Sequence, residues 1–103
     1  MTHTAKGGHV YIMTNFTHST IYVGVTSELQ SRVIQHREKL YSNSFTAKYN
    51  CTKLVYYFFY DHIESAIKEE KRLKGGSRLQ KVELINSMNP AWDDLYLKEI
   101  QFW

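Results

Sequence analysis

The chain has 103 residues, 43% hydrophobic and 15% aromatic, which is the composition of one folded domain rather than of a disordered chain. Its net charge of +3 is mildly basic, which is compatible with a nucleic-acid partner without indicating one. No run approaches 18 apolar residues, so neither a membrane span nor a standard signal peptide is predicted. The single cysteine, Cys51, excludes an internal disulfide and a cysteine-based zinc site, and we expect a cytoplasmic protein.

The first predicted unit is a β-hairpin. Residues 1–8 are small and polar, and we expect a loose leader there. Alternating apolar runs then cover His9–Met13 and Ile21–Val25, with turn-prone residues around Asn15 between them. This pattern predicts two antiparallel strands joined by a loop of four to six residues.

A first helix is predicted from about Glu28 to Leu40. Ser27 and Gln30 have the spacing of a capping box at its start. Its apolar stripe contains Leu29, Val33 and Leu40. Residues 41–51 show no period, so we predict a surface loop after this helix.

The segment Lys53–Tyr60 is apolar on both alternating rows, which predicts a central strand covered on both faces. Asp61 and Glu64 have capping-box spacing and predict a second helix over about 62–74. Gly75-Gly76 predicts a left-handed C-cap for that helix.

A third helix, about 78–88, is predicted from Ser77 and Gln80 and ends at Asn89-Pro90. The first half of the following tail is predicted to form a short helical turn that packs on the core. These elements predict one α+β domain, 1–103, with a C-terminal tail at 96–103. Its sheet is small, three-stranded and mainly antiparallel, and three or more helices flank it.

Two predicted helices each direct a polar group toward the core. At about 100° per residue, His36 falls inside the apolar stripe of the first helix and Arg32 falls on its edge. Glu70 falls within the apolar face of the second helix, where a carboxylate is costly unless it is paired or binds a metal. We expect these groups to face the sheet that carries Tyr11 and Tyr22. The apolar face of the second helix contains Ile63, Ala66, Ile67 and Leu73.

Structural interpretations exist for the same residues. Tyrosines favour strands, and a histidine on an apolar face is often a hydrogen-bonded core residue. Arg32 and Glu70 could form a buried ion pair between two helices. The basic residues around Glu70 fit either a solvated helix face or a phosphate-binding surface; they are Lys68, Lys71, Arg72, Lys74, Arg78 and Lys81.

Two tyrosine-containing triplets occur in the hairpin. The first is His9-Val10-Tyr11, the second is Tyr22-Val23-Gly24, and Arg32 follows Tyr22 by ten residues. This ordered set, over about residues 8–95, resembles the GIY-YIG endonuclease superfamily and its small single-domain bacterial members. Further similarity lies in Phe45–Tyr57, Ala66–Lys81 and Asn89–Leu95.

The resemblance implies a GIY-YIG nuclease-like fold and a metal-dependent endonuclease that hydrolyses DNA with low sequence specificity, in repair or recombination. It implies that Glu70 binds one Mg²⁺ or Mn²⁺ and that Arg32 contacts the phosphate. Tyr11 is then the water activator, Tyr22 orients water or phosphate, and His36 relays the proton; the sequence equally allows the two tyrosines to exchange these roles. The nucleic-acid-binding residues would be Lys71, Lys74, Arg78 and Lys81.

Two other functions fit the sequence. One is a nucleic-acid-binding module that keeps this fold without turnover. The other is an interaction protein whose aromatic tail, Trp92–Trp103, docks a partner. For the nuclease we expect DNA as the partner, including branched or flapped forms, no membrane contact, and a monomer.

Overall fold

A computed structural model describes residues 6–103. The predicted leader lies partly outside this range, and its described end is already ordered by the fold. The Ile63 amide donates to the Lys6 carbonyl at 2.9 Å, and Gly8 belongs to the first strand. Within 6–103, no helix is both long enough and apolar enough to cross a bilayer.

The α+β prediction is confirmed: three antiparallel strands form one sheet, and helices pack on both of its faces. In chain order the described elements are β1 (Gly8–Thr14), β2 (Ile21–Thr26), α1 (Leu29–Arg37), α2 (Phe45–Lys48), β3 (Lys53–Tyr60), α3 (Ile63–Lys74), α4 (Arg78–Met88) and α5 (Leu95–Lys98), with a 3-10 turn at Ile100–Phe102.

The strand order is β2-β1-β3, so β1 is the central strand. The prediction that Lys53–Tyr60 is central is therefore wrong. Leu54 and Val55 are buried on opposite faces, which explains the doubly apolar pattern, but Phe58 and Phe59 are each 52% exposed. An edge strand can touch helices on both faces over half of its length, and the pattern alone does not distinguish this case from a central strand.

Alternation along β1 divides the core into two clusters. One face carries Val10 and Ile12 against α3 and α4, and the other carries Tyr11 and Met13 against α1 and α5. The first cluster also contains Val23, Val55, Tyr56, Ala66, Leu73, Ile85 and Trp92, and the second contains Leu29, Val33, Cys51, Leu54, Leu95 and Ile100.

Helix α1 begins without the predicted capping box. Its N-cap is Glu28, which makes no side-chain cap bond, and Thr26 Oγ1 accepts the Glu28 amide at 3.0 Å instead. The Gln30 amide group donates to the carbonyls of Ile100 and Trp103 at 3.0 and 3.2 Å. The Gln30 side chain thus binds the C-terminal segment instead of the N-terminus of its own helix, and the predicted capping box does not form.

Helix α1 also ends at Arg37, three residues before the predicted end. Lys39 has a φ of 52°, which takes the backbone out of the helical region. Leu40 is consequently 59% exposed and does not belong to the apolar stripe.

Of the caps predicted for α3 and α4, only the one at the start of α4 is present. The predicted Asp61–Glu64 capping box is absent, since the N-cap of α3 is His62 without a side-chain bond. Gly75 has a φ of −79°, so the predicted left-handed C-cap is wrong as well. The capping box of Ser77 and Gln80 at the start of α4 is confirmed, with both of its reciprocal bonds.

The predicted surface loop 41–51 contains the short helix α2. Ser44 is its N-cap, and the Ser44 hydroxyl accepts the Ala47 amide at 3.3 Å. Four residues are too few to show a helical period, so only the cap could have indicated this element.

The C-terminal segment packs on the α1 face, as predicted for its first half. Leu95 and Ile100 are buried in the core. The Trp103 ring lies 5.6 Å from the His9 ring and 5.7 Å from the Tyr57 ring, centroid to centroid. Part of the tail therefore belongs to the core, while Phe102 and Trp103 at its end are 76% and 57% exposed.

Gly24 makes room for Tyr11. The two residues are register partners on β2 and β1. A Cβ atom at Gly24 would lie 2.4 Å from both Cζ and Oη of the Tyr11 phenol, closer than any ordinary contact. The glycine of the second triplet thus allows the buried Tyr11 ring to lie across β2.

We predict that Gly24→Ala lowers the free energy of unfolding by about 1–3 kcal/mol because the Tyr11 ring must move in a packed core. Gly75→Ala is the control. Its Cβ would meet no atom closer than 3.5 Å and its φ is compatible with alanine, so it should be neutral or slightly stabilising. Urea unfolding measures both; equal effects of the two changes would contradict the packing argument.

Candidate active site

Four of the predicted site residues meet on the α1 face of the sheet. Tyr11 and Tyr22 come from β1 and β2, with ring centroids 6.3 Å apart. The His36 ring, from α1, lies 5.7 Å from the Tyr11 ring and 5.5 Å from the Tyr22 ring. Arg32 is one turn earlier on the same helix, and its guanidinium lies 5.7 Å from the Tyr41 ring.

His36 is held by a partner at each ring nitrogen. Its Nε2 lies 2.8 Å from the Tyr11 hydroxyl, and its Nδ1 lies 2.8 Å from Thr46 Oγ1. All three side chains are buried. The Thr46 hydroxyl lies 3.2 Å from the hydroxyl of Ser44, the cap of α2. The structural interpretation of a satisfied core histidine therefore holds, and its partner is a signature tyrosine.

The buried tyrosine and histidine are both neutral at pH 7. Burial, and to a smaller extent the cation of Arg32, lowers the pKa of His36 to about 4. Burial also raises the pKa of Tyr11 above its ordinary value of 10, and the neighbouring Tyr22 raises it more, while Arg32 partly offsets both effects. The phenolate of Tyr11 is therefore not formed in advance.

Glu70 does not pair with Arg32, so the alternative of a structural bridge between those two residues is wrong. Glu70 Oε2 lies 3.0 Å from the ammonium of Lys74, one turn later on α3. The Arg32 guanidinium instead donates to Gln35 Oε1 at 3.0 Å. The Glu70 side chain is 13% exposed, so the helical wheel placed it correctly toward the protein.

The wheel misplaced one neighbour of Glu70. Ile67 was predicted on the apolar face of α3 and is 37% exposed, whereas Ala66 and Leu73 are fully buried. The buried stripe is thus centred on Ala66 and Leu73, and Glu70 lies at its edge.

Glu70 lies on a helix that packs on the other face of the sheet from Tyr11, and its recorded connection to Tyr22 runs through Lys74 at the edge of the sheet. Helix α3 packs on the face opposite Tyr11, but it also packs against the edge strand β2. The Lys74 ammonium that pairs with Glu70 lies 5.6 Å from the centroid of the Tyr22 ring. Two contacts therefore connect the Glu70 carboxylate with the Tyr22 ring through Lys74.

A pocket of about 320 Å³ opens at this edge. Tyr22 and its neighbours on strand β2 line one part of this pocket, and Lys74 and Lys81 contribute cationic side chains. Its lining residues are Ile21, Tyr22, Val23, Phe45, Lys74 and Lys81. Tyr22 is only half-buried, in contrast to Tyr11.

The four predicted nucleic-acid-binding residues do not form one uniform surface. Lys74 and Lys81 line the pocket. Arg78 donates to the carbonyls of His18 and Ser19, which fixes it to the hairpin loop. Lys71 is exposed on α3.

Comparison with known proteins adds the family. A model of the GIY-YIG catalytic domain matches residues 7–83. The chain belongs to the GIY-YIG family. A UPF0213 protein of Syntrophus aciditrophicus (strain SB) is 30% identical over 82 residues, which cover 80% of this chain and 92% of that protein. The solution NMR structure of a UPF0213 protein of Bacillus halodurans has the same fold, with a TM-score of 0.54 at 22% identity and coverage of 85% and 92% of the two chains.

GIY-YIG domains are nuclease domains, so the family implies a nucleic-acid substrate and, in general, a divalent metal. In this GIY-YIG chain, residues 6–103 contain no cluster of three or more histidine, cysteine or acidic side chains that could enclose an ion. Mg²⁺ is commonly bound by one or two carboxylates together with waters and substrate phosphates. Glu70, whose carboxylate contacts the pocket residue Lys74, would hold such an ion together with waters and substrate, because residues 6–103 provide no cage of protein ligands.

The sequence analysis missed Thr46, whose hydroxyl fixes the histidine of this GIY-YIG site. Residues 41–51 were assigned to a surface loop, yet Thr46 is 2% exposed. The N-cap residue Ser44, followed by the helical residues Phe45–Lys48, was the available signal.

We predict that His36→Gln destabilises the protein more at pH 7 than at pH 4.5. His36 has a pKa of 6.5 in the unfolded chain and of about 4 in the folded chain, so between these pH values the unfolded chain binds a proton that the folded chain does not. The free energy of unfolding of the wild type therefore decreases as the pH falls from 6.5 to 4. The variant lacks this loss. Urea unfolding at both pH values measures the difference in the free energy of unfolding between wild type and His36→Gln, and this difference should be smaller at pH 4.5.

His62→Gln is the control for this measurement, because His62 is an exposed histidine. Its effect on the free energy of unfolding should be small. If His36→Gln lowers the free energy of unfolding by the same amount at pH 4.5 and at pH 7, the neutral, buried state of this ring is contradicted.

Proposed function

We propose that this GIY-YIG domain is a divalent-metal-dependent endonuclease that hydrolyses phosphodiester bonds of DNA with low sequence specificity. One observation carries the proposal: Tyr22 lines a pocket at the β2 edge together with Lys74, which pairs with Glu70, and the Tyr22 ring also lies 6.3 Å from the ring of Tyr11, the partner of His36. Phosphodiester hydrolysis requires positive charge on the phosphoryl oxygens and a group that takes a proton from water.

In this proposal, positive charge on the phosphate comes from Arg32 on α1 and from the lysines that line the pocket. Arg32, half-buried on α1, presents a planar guanidinium that can donate two hydrogen bonds to a phosphate. Lys74 and Lys81 add ammonium groups from α3 and α4, which in the structure contact Glu70 and the carbonyls of Gly76 and Ser77, respectively. These groups bind backbone phosphates without contacting base edges, which accounts for low sequence specificity.

The proton follows the hydrogen bond from Tyr11 to His36. Because the pKa of Tyr11 is raised by burial, this phenol accepts a proton from water only if it passes its own proton to His36 Nε2 in the same step. His36 Nε2 accepts this proton in the tautomer whose Nδ1–H donates to Thr46 Oγ1, which also keeps the ring in place, and the lowered pKa of His36 opposes the transfer unless the two proton movements are concerted. Tyr11 is 1% exposed, so the water must be an ordered one, and half-buried Tyr22 orients it.

Glu70 would hold the metal. The chemistry that Mg²⁺ or Mn²⁺ supplies at such a site is polarisation of a phosphoryl oxygen and compensation of its charge. Lys74 must then leave the Glu70 oxygen that it contacts, and a phosphate in the pocket is a suitable new partner for its ammonium.

The wider setting is proposed from the sequence and the family. We place the enzyme in the cytoplasm, where the buried thiol of Cys51 remains reduced, and we propose a monomer. DNA repair or recombination, on branched or flapped DNA, is the proposed context.

The alternative function is a nucleic-acid-binding module of the same fold without turnover. The ion pair between Lys74 and Glu70 favours it, because an ammonium already occupies one oxygen of the proposed metal ligand. Binding with a steep salt dependence and no cleavage with any divalent metal would establish this alternative.

We predict that Glu70→Gln lowers the rate of Mg²⁺- or Mn²⁺-dependent DNA cleavage by roughly 100-fold or more, since the change removes the negative charge that holds the metal. The control is Glu69→Gln, whose carboxylate instead accepts two bonds from Arg72 at 2.6 and 2.8 Å. It should retain activity within a few-fold. Equal, metal-independent cleavage by wild type and both variants would remove the enzyme proposal.

We predict that Lys81→Gln lowers the slope of log K against log salt concentration for DNA binding by about one, the effect of one lost phosphate contact. Lys98→Gln is the control, because Lys98 lies on α5 and pairs with Asp93. Anisotropy titrations in EDTA at several salt concentrations measure the slopes. An unchanged slope for Lys81→Gln would place its ammonium outside the phosphate path.

A further inference from the structure

An aromatic side chain stands exposed beside the pocket. Phe45, the first residue of α2, is 46% exposed. Its ring stacks on the Tyr22 ring, with centroids 6.1 Å apart and an interplanar angle of 28°. The Tyr49 ring lies 4.7 Å from Phe45 and is itself 51% exposed. Tyr22, Phe45 and Tyr49 thus form a row of rings that runs from the site to solvent.

The position of this row is fixed by the site itself. Phe45 lies between Ser44, which caps α2, and Thr46, whose hydroxyl bonds to His36. The helix that carries the ring is therefore tied to the same histidine that contacts Tyr11. An apolar ring held rigidly and left half-exposed contributes little to the core, but it offers a flat surface to a ligand.

The charges around the row indicate what kind of ligand fits. Phe45 shares its pocket with the ammonium-bearing side chains of Lys74 and Lys81. Aromatic faces next to cationic groups are the combination that binds unpaired nucleotides, because the base stacks and the backbone phosphate meets the cation. A base inside a duplex has both faces covered by its neighbours and cannot stack on a protein ring without leaving the helix.

We propose that Phe45 is a base-stacking platform that gives this site a preference for single-stranded nucleic acid, an inference that rests on the function proposed above. An unpaired base lies on the exposed part of the Phe45 ring, and Tyr49 extends the surface for the next base. The connecting phosphate contacts Lys74 and Lys81. This arrangement places the following phosphodiester at Tyr22, on which Phe45 is stacked.

The test compares binding of a fluorescein-labelled oligothymidylate with binding of a duplex of equal length, by anisotropy in EDTA so that no cleavage occurs. Phe45→Ala should weaken single-strand binding roughly 5- to 150-fold, the range for loss of one stacked base, and duplex binding less than about twofold. Phe45→Leu keeps an apolar side chain without a π face and should also weaken it. Phe45→Trp should restore it.

Phe16→Ala is the matched control, because Phe16 is an aromatic residue that is 90% exposed and lies outside the pocket. It should bind both probes as wild type does. Circular dichroism and urea unfolding establish that each variant is folded, and Phe45→Leu stands in for Phe45→Ala if the alanine variant is not.

The proposal is overturned if wild type does not bind oligothymidylate. It is also overturned if the Phe45 variants bind the single strand and the duplex with equally reduced affinity, or bind both as wild type does. Its failure differs from failure of the proposed nuclease. If single-strand binding depends on Phe45 but no divalent metal supports cleavage, the nuclease proposal is wrong and the stacking role of Phe45 stands. Glu70-dependent cleavage without an effect of Phe45 on binding would remove the platform and leave the nuclease.

Discussion

The hydrogen bonds of His36 connect the elements on which the site depends. Tyr11 belongs to the central strand, His36 to α1 and Thr46 to α2, and the two bonds of 2.8 Å join these three elements in a buried region. A buried polar group that loses its partner costs about 1–3 kcal/mol, so each member restrains the other two. Gly24 completes the arrangement because only a residue without a side chain leaves room for the Tyr11 ring.

The edge position of β2 explains how groups from opposite faces of the sheet meet. Tyr22 lies on the α1 face, and α3 packs on the other face. No strand extends the described sheet beyond β2, so Lys74 reaches the Tyr22 ring from α3 while it pairs with Glu70. Had β2 been the central strand, the backbone of a neighbouring strand would have separated these groups.

Electrostatics in the site follow from unequal burial. Tyr11 and His36 are nearly inaccessible, and both are held neutral because charged forms are poorly solvated there. Lys74 and Tyr22 remain in contact with the pocket. The site thus combines a buried, neutral pair of side chains with an accessible rim that carries a cationic group.

The elements that the sequence predicted correctly are those with a local cause. The alternating runs around Tyr11 and Tyr22 gave the hairpin, and Ser77 with Gln80 gave the start of α4, because both signals act within a few residues. The helical wheel placed His36 and Glu70 toward the protein for the same reason.

Long-range competition explains where the sequence failed. Gln30 left its predicted capping role for two C-terminal carbonyls, and the apolar strand Lys53–Tyr60 became an edge because β1 pairs on both sides. The partner of Glu70 was also beyond prediction, since Arg32 and Lys74 offer the same charge and only their positions around the sheet distinguish them.

The sequence by itself determined the family, the hairpin and the residue types of the site, because these depend on spacing along the chain. Only the tertiary structure decided that Thr46 orients His36, that Lys74 pairs with Glu70 and that Phe45 borders the pocket. Those contacts depend on how separate segments pack in space, and nothing in local periodicity encodes that packing.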